Sequence, residues 1–216
     1  NLQNFFKTII HNIFKIIYGE INGKISPADD QSVKFEKVQI DKIDYNIYFC
    51  SESSLYTDRI HDTAIIKNNK IINGPSFQLR NNKNVSCENN SVFEKGTPRF
   101  KKKISGKVLS LLTGGGGNTN YWHWLFDVLP RLMIMDSLTQ NYRIDYYLLP
   151  ELSKKFQYQT LDILNIPKSK RLSSKHFRHI YSDEIIVTSH PYTLLNDPDL
   201  DSLNIPKWII KYIKEK

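Results

Sequence analysis

The chain has 216 residues, 40% of them hydrophobic, which is enough to bury the core of one large domain or two small ones. Its 30 Lys and Arg exceed 22 Asp and Glu to leave a net charge of +8, favouring an anionic partner: a sugar nucleotide, a phosphorylated glycan, an acidic membrane surface or a nucleic acid. No run is long and apolar enough to cross a bilayer, and Cys50 and Cys87 form neither a CxxC pair nor a zinc set, which reads as two free thiols in a reducing compartment.

At the N-terminus Phe5, Phe6, Ile9, Ile10, Ile13, Phe14 and Ile17 recur at helical spacing between Lys7, His11 and Lys15. Two readings stay open for this amphipathic helix: it lies in a membrane interface, or it docks on its own domain. Residues 21–31 carry the Gly, Pro, Ser and Asp of a linker, and a β-rich region follows. Strands are expected over 33–40, 45–49 and 63–72, the last folded back on itself at Asn68-Asn69, a hairpin-turn signal. Residues 81–90 are polar and loop-like; the Asn-x-Ser triplets at Asn84 and Asn89 are of the kind an Asn-rich chain generates by chance. From residue 107 the order becomes strand 108–112, helix 119–138, strand 145–149, helix 153–164, strands 176–180 and 184–188, and helix 206–215. Such alternation argues for a parallel sheet covered by helices, with ligands beyond the carboxyl ends of its strands.

One stretch stands out: Gly114 to Gly117, then Asn118-Thr119-Asn120-Tyr121-Trp122-His123-Trp124-Leu125-Phe126-Asp127-Val128-Leu129-Pro130-Arg131. The glycines end the preceding strand without steric penalty, and the amides of the helix start that follows attract anions, so the loop suits a phosphate or a sugar hydroxyl. It matches neither the dinucleotide fingerprint nor the P-loop. At about 100° per residue, Asn120, His123, Asp127 and Arg131 fall within an arc of about 80°, opposite Trp122, Leu125, Phe126, Leu129, Leu132 and Met133. The apolar side is expected to bury itself and the polar side to face a ligand. His123 and Asp127, four apart, can pair so that the carboxylate orients the imidazole as a general base. On spacing alone, an ordinary helix histidine with Asp127 paired to Arg131 fits equally well.

The string from Asn120 to Leu132 resembles the signature of glycosyltransferase family 61, an Asn-aromatic-aromatic-His-Trp-Leu-x-Asp-x-Leu-Pro-Arg segment. Thr63-Ala64-Ile65-Ile66 and Gly74-Pro75-Ser76 resemble the segments that precede it in bacterial members, so the likeness spans residue 33 onward. It implies an inverting, GT-B type transferase with two Rossmann-like domains. On that basis the chain is an amphipathic helix and linker (1–31), a β-rich subdomain (32–104) and a Rossmann-like α/β domain (105–216), with the donor-binding domain lying beyond it and little activity expected of this part alone. The implied catalytic residues are His123 and Asp127, with either one the base, and Asn120 and Arg131 are implied for substrate binding; Gly115, Gly116, Gly117 and His190 join the substrate-binding set from their place at strand ends. The implied substrates are a nucleotide sugar, UDP-linked by preference, and a glycan acceptor hydroxyl of a bacterial surface polysaccharide. No tightly bound cofactor and no metal are expected, and the expected location is cytoplasmic, with peripheral attachment to the inner face of the plasma membrane left open. A non-catalytic carbohydrate-binding or scaffold module is the alternative.

The remaining motifs read as structural. Lys101-Lys102-Lys103 and Lys168, Lys170 and Arg171 are short solvated clusters without the interleaved aromatics of a nucleic-acid platform, so no nucleic-acid partner is expected. His176 and His179 sit three apart in an expected strand and so point to opposite faces. Asp197-Pro198-Asp199 spells a DxD among turn residues, where a loop or helix cap is the better reading. Ser189-His190-Pro191-Tyr192 closes a strand, at the sheet end where the glycine loop also falls.

Overall fold

The computed structural model describes residues 2–59, 62–80, 83–84, 87–112, 119–139, 142–195 and 197–215. In chain order they form α1 (Leu2–Tyr18), β1 (Lys24–Ile25), β2 (Val33–Ile40), β3 (Ile43–Thr57), β4 (Asp62–Lys67), β5 (Lys70–Ile72), β6 (Phe77–Arg80), β7 (Lys83–Asn84), α2 (Val92–Lys95) and β8 (Lys102–Ser110). Then come α3 (Tyr121–His123), a π-helical turn (Trp124–Val128), α4 (Pro130–Asp136), β9 (Tyr146–Leu149), α5 (Lys155–Ile163), β10 (Arg171–Ser173), β11 (His179–Thr188), α6 (Pro198–Leu203) and α7 (Lys207–Glu215).

The strands join into one mixed sheet, ordered β1-β5-β4-β3-β11-β8-β9-β10, with β2 also on β3 and β6 on β4. Strands β11, β8, β9 and β10 run parallel, whereas β3 pairs antiparallel with β11 from His179↔Tyr56 to Thr188↔Ile47. The β-rich region and the alternating region therefore share a sheet, and the protein is of mixed α/β class. Asn68 and Asn69 form the β4–β5 turn with φ of 48° and 58°, the left-handed pair that a tight hairpin needs. The segments expected as strands 176–180 and 184–188 are one strand, β11; His176 lies in the turn before it and His179 is its first residue. Short β10 and α6 carry too little apolar periodicity to be read from sequence.

Alternation sorts the strand residues onto two faces. Tyr45, Ile47, Phe49, Leu109 and Ile186 pack with Trp124, Val128, Leu132 and Ile134, with Leu161 of α5, and with Trp208, Ile209 and Tyr212 of α7. Cys50, Val108, Ile185 and Val187 face the other way, among Val33, Ile65, Leu148 and Leu172. Cys50 and Cys87 are both buried free thiols.

Helix α1 is inverted relative to an ordinary surface helix. Phe14 is its one buried residue, its ring against Phe100, and the Tyr18 hydroxyl accepts from the Lys101 amide while its ring meets His179 edge-on. The face carrying Phe5, Ile9, Ile13 and Ile16 is left exposed. No helix among the described residues is long and apolar enough to cross a membrane.

Candidate active site

Strand β8 leads to β9 on one side, while β11 lies on its other side. That reversal of strand order makes the β8/β11 boundary a topological switch point, where α/β sheets open a crevice at the carboxyl ends of the strands. The signature helix and residues 189–192 both start there. Gly115, Gly116 and Gly117, with the rest of 113–118, lie outside the described residues.

Asn120 caps the helix: its side-chain oxygen accepts from the amides of Trp122 (2.8 Å) and His123 (3.4 Å), satisfying groups the first turn leaves unpaired. The helix then widens into the π turn, closed by the Leu129 amide donating to the Trp124 carbonyl at 3.1 Å. Pro130 has no amide to continue the regular ladder, and single π turns recur at functional sites. The Asp127 carbonyl in this turn accepts from Nε of Arg131 at 3.0 Å. Trp124, fully buried, is pinned by its indole N–H donating to Thr160 Oγ1 at 2.9 Å.

Leu129 and Leu132 are buried as expected, but the structure also buries two residues of the polar face. Asp127 (3% exposed) and Arg131 (2%) lie on the buried face with Trp124, Val128 and Ile134, whereas Trp122, Leu125, Phe126 and Met133 opposite are only half-buried. Burying polar groups is tolerable only with partners, and both residues have them. Asp127 Oδ2 lies 2.6 Å from His123 Nδ1, and its Oδ1 accepts the Tyr192 hydroxyl at 2.6 Å. Nε2 of His190 stands 3.9 Å from the same Oδ1. Arg131 donates from its terminal nitrogen to the Thr188 carbonyl at 2.9 Å, fastening the helix to the end of β11. Its buried guanidinium thereby ties the π turn to the sheet.

Residues 189–192 are held in turn from β3 and α7. The Asn46 amide donates to Ser189 Oγ (2.7 Å) and the Ser189 amide to the Asn46 carbonyl (2.8 Å). The Tyr45 hydroxyl donates to the Pro191 carbonyl and accepts from the Trp208 indole, both at 2.9 Å. His190 Nδ1 bonds the Tyr192 carbonyl at 2.8 Å. Tyr192, Tyr45 and Trp208 are the members of this constellation that spacing along the helix could not nominate, although Tyr192 falls in the strand-end segment already singled out.

Electrostatics separates the groups. Burial alone would raise the Asp127 pKa, but the hydrogen bond from His123, the charges of His190 and His123, and the Tyr192 hydroxyl outweigh it and hold the carboxyl below its ordinary value. Burial pushes Tyr192 far upward, reinforced by the adjacent Asp127 charge, so the phenol stays a donor. Burial lowers Arg131 to about 10, still charged at neutral pH, and lowers His190 to about 4 against the opposing pull of Asp127. His123 keeps an exposed edge, with 29% of its side chain accessible. If Asp127 accepts Nδ1–H, Nε2 carries the lone pair.

A stability prediction follows from His190 and from His179, which burial also lowers to about 4 where it sits between Tyr18, Tyr56, Lys101 and the Arg99 carbonyl. Both folded pKa values are depressed, so full stability is present above the unfolded value of about 6.5 and is lost as pH falls towards 4. Each histidine removes up to about 3 kcal/mol over that window. Melting scans from pH 7 to 4.5 should show a fall of about 10 °C or more, shallower in His179→Gln. A flat profile would contradict the buried, neutral state of both rings.

Among the described residues no group of three or more His, Cys, Asp or Glu converges as a metal site. Asp197 caps α6, accepting from the amides of Asp199 (2.9 Å) and Leu200 (3.2 Å), the helix-cap reading of the DxD triplet. Comparison with protein-family models, with curated proteins and with solved structures gave no match to this chain. Fold and site together define a mixed α/β protein with a His–Asp dyad at the switch point of its parallel strands.

Proposed function

We propose that this chain is the acceptor-side part of an inverting glycosyltransferase, with His123 as general base and Asp127 as its orienting carboxylate. The observation that carries the reading is the 2.6 Å His123–Asp127 contact, in which a buried carboxylate anchored by Tyr192 backs a half-exposed imidazole at the switch point. In this mechanism Nε2 of His123 takes the proton of an acceptor hydroxyl as that oxygen bonds to the anomeric carbon. The bond from that carbon to the donor phosphate oxygen breaks, and a nucleoside diphosphate leaves. Base assistance of this kind is typically worth about 10²- to 10⁴-fold. The half-buried Trp122 ring beside His123 offers the aromatic face on which a sugar can stack. The resemblance of residues 120–132 to family 61 supplies the sugar nucleotide, and with it a GT-B arrangement whose donor is held by a second domain.

The test is nucleotide release by the intact gene product from a panel of UDP-, GDP- and CMP-sugars, with and without mixed glycan acceptors. Acceptor-stimulated release from one donor class is expected. No release from any donor under any acceptor mixture would favour the carbohydrate-binding module instead.

A further inference from the structure

A second surface lies at the opposite end of β11. Two cavities of about 320 and 520 Å³ share Arg99 and Arg178 as walls, the smaller one bounded by α1 and the larger one by the exposed Phe100. The described residues lining them include seven Lys or Arg, among them Lys7, Lys95, Arg59 and Lys102, against one carboxylate, Asp58. Glu151, outside this lining set, pairs with Arg59 at 2.9 Å and stands 3.8 Å from Lys175. Like charges gathered this closely repel one another, and Arg178 shows it: burial lowers its pKa first, with the Arg99 and Arg59 charges adding to the effect. Clustering of this kind is relieved by an anion.

The smaller cavity is walled on the α1 side by Lys7 and His11, on the docked face with Phe14, and by Ile10, which borders the outward apolar face. Phe5, Phe6, Ile9, Ile13, Ile16 and Ile17 are 39 to 84% exposed, and Phe100, which lines the larger cavity, is 76% exposed. A soluble surface seldom leaves a contiguous apolar stripe of this kind uncovered. Apolar side chains in a helical stripe next to cationic hollows are complementary to one occupant that offers acyl chains and phosphates together.

We infer that α1 and the twin cationic cavities form a docking surface for an anionic lipid bilayer, the stripe entering the acyl boundary and the Arg99/Arg178 wall receiving headgroup phosphates. The ten residues of β11 separate this surface from the dyad by about 30 Å, so its occupancy is independent of the chemistry proposed above.

Flotation of the intact protein with vesicles of phosphatidylcholine containing about 30% phosphatidylglycerol tests it. The protein should float with these vesicles and remain behind with phosphatidylcholine alone, and high salt should weaken the binding. Phe5→Ser/Phe6→Ser and Arg99→Glu/Lys102→Glu alter exposed positions, so each should keep the wild-type melting temperature while partitioning at least about tenfold less. Should the first pair prove insoluble, the second decides alone. Absence of flotation, equal binding to neutral vesicles, or binding untouched by either pair would overturn the inference. So would a dimer in sedimentation that Phe5→Ser/Phe6→Ser dissolves without any vesicle binding, since the stripe would then meet a second copy of the chain.

Discussion

Asparagine at position 127 is expected to cut sugar transfer by about 10²- to 10⁴-fold while leaving the melting temperature within a few degrees of wild type. The substitution preserves shape and volume, so packing against Val128 and the end of β11 is kept. What changes is acceptor capacity. Asp127 receives the His123 ring nitrogen on one oxygen and the Tyr192 hydroxyl on the other, whereas an amide offers a single acceptor oxygen. One donor loses its partner, and the imidazole is no longer fixed with its lone pair on Nε2. His123→Ala should match the Asp127→Asn rate, because the two act as one unit. Tyr192→Phe removes only the outer anchor and should cost about tenfold, the scale of one charge-assisted hydrogen bond. Rates for the three variants, taken with pH profiles of kcat and KM, separate the roles. Full activity in Asp127→Asn with an unchanged profile would remove the dyad from the mechanism.

Arg131→Ala is expected to destabilise the fold by about 3–5 kcal/mol, measured as a shift in the urea midpoint. The guanidinium is buried and ties the Asp127 carbonyl of the π turn to the Thr188 carbonyl of β11. Its removal takes the side-chain donor from two carbonyls and opens a cavity where a fully buried side chain stood. Arg131→Lys should recover only part of the loss, because a single ammonium cannot span both carbonyls as the planar fork does. The opposite pattern, normal stability with a raised KM for the nucleotide sugar, would return Arg131 to the ligand-binding role that the resemblance implies.

Local signals carried much of this chain. The turn at Asn68-Asn69, β2 over Val33–Ile40, the Asp197 cap and α7 each rest on a few neighbouring residues whose preferences agree, and each was legible without coordinates. The His123–Asp127 pair was legible for the same reason, since four residues along a helix bring side chains together whatever surrounds them.

Orientation was another matter. An apolar stripe ordinarily marks the buried face, yet α1 docks through Phe14 and Tyr18 with its stripe outward, and the signature helix buries Asp127 and Arg131 with Trp124. Those choices depend on partners far away in sequence: Tyr192 and Thr188 for the carboxylate and the guanidinium, and Phe100 and His179 for the N-terminal helix. The sequence by itself determined most of the longer elements, the Asn68-Asn69 turn, the Asp197 cap and that His123 and Asp127 are helix neighbours, because these are set by contacts within about four residues. Only the tertiary structure decided which side of each helix faces inward, that Tyr192 completes the site, and that one mixed sheet spans both regions, because pairing and burial between distant segments are settled by the whole chain packing at once.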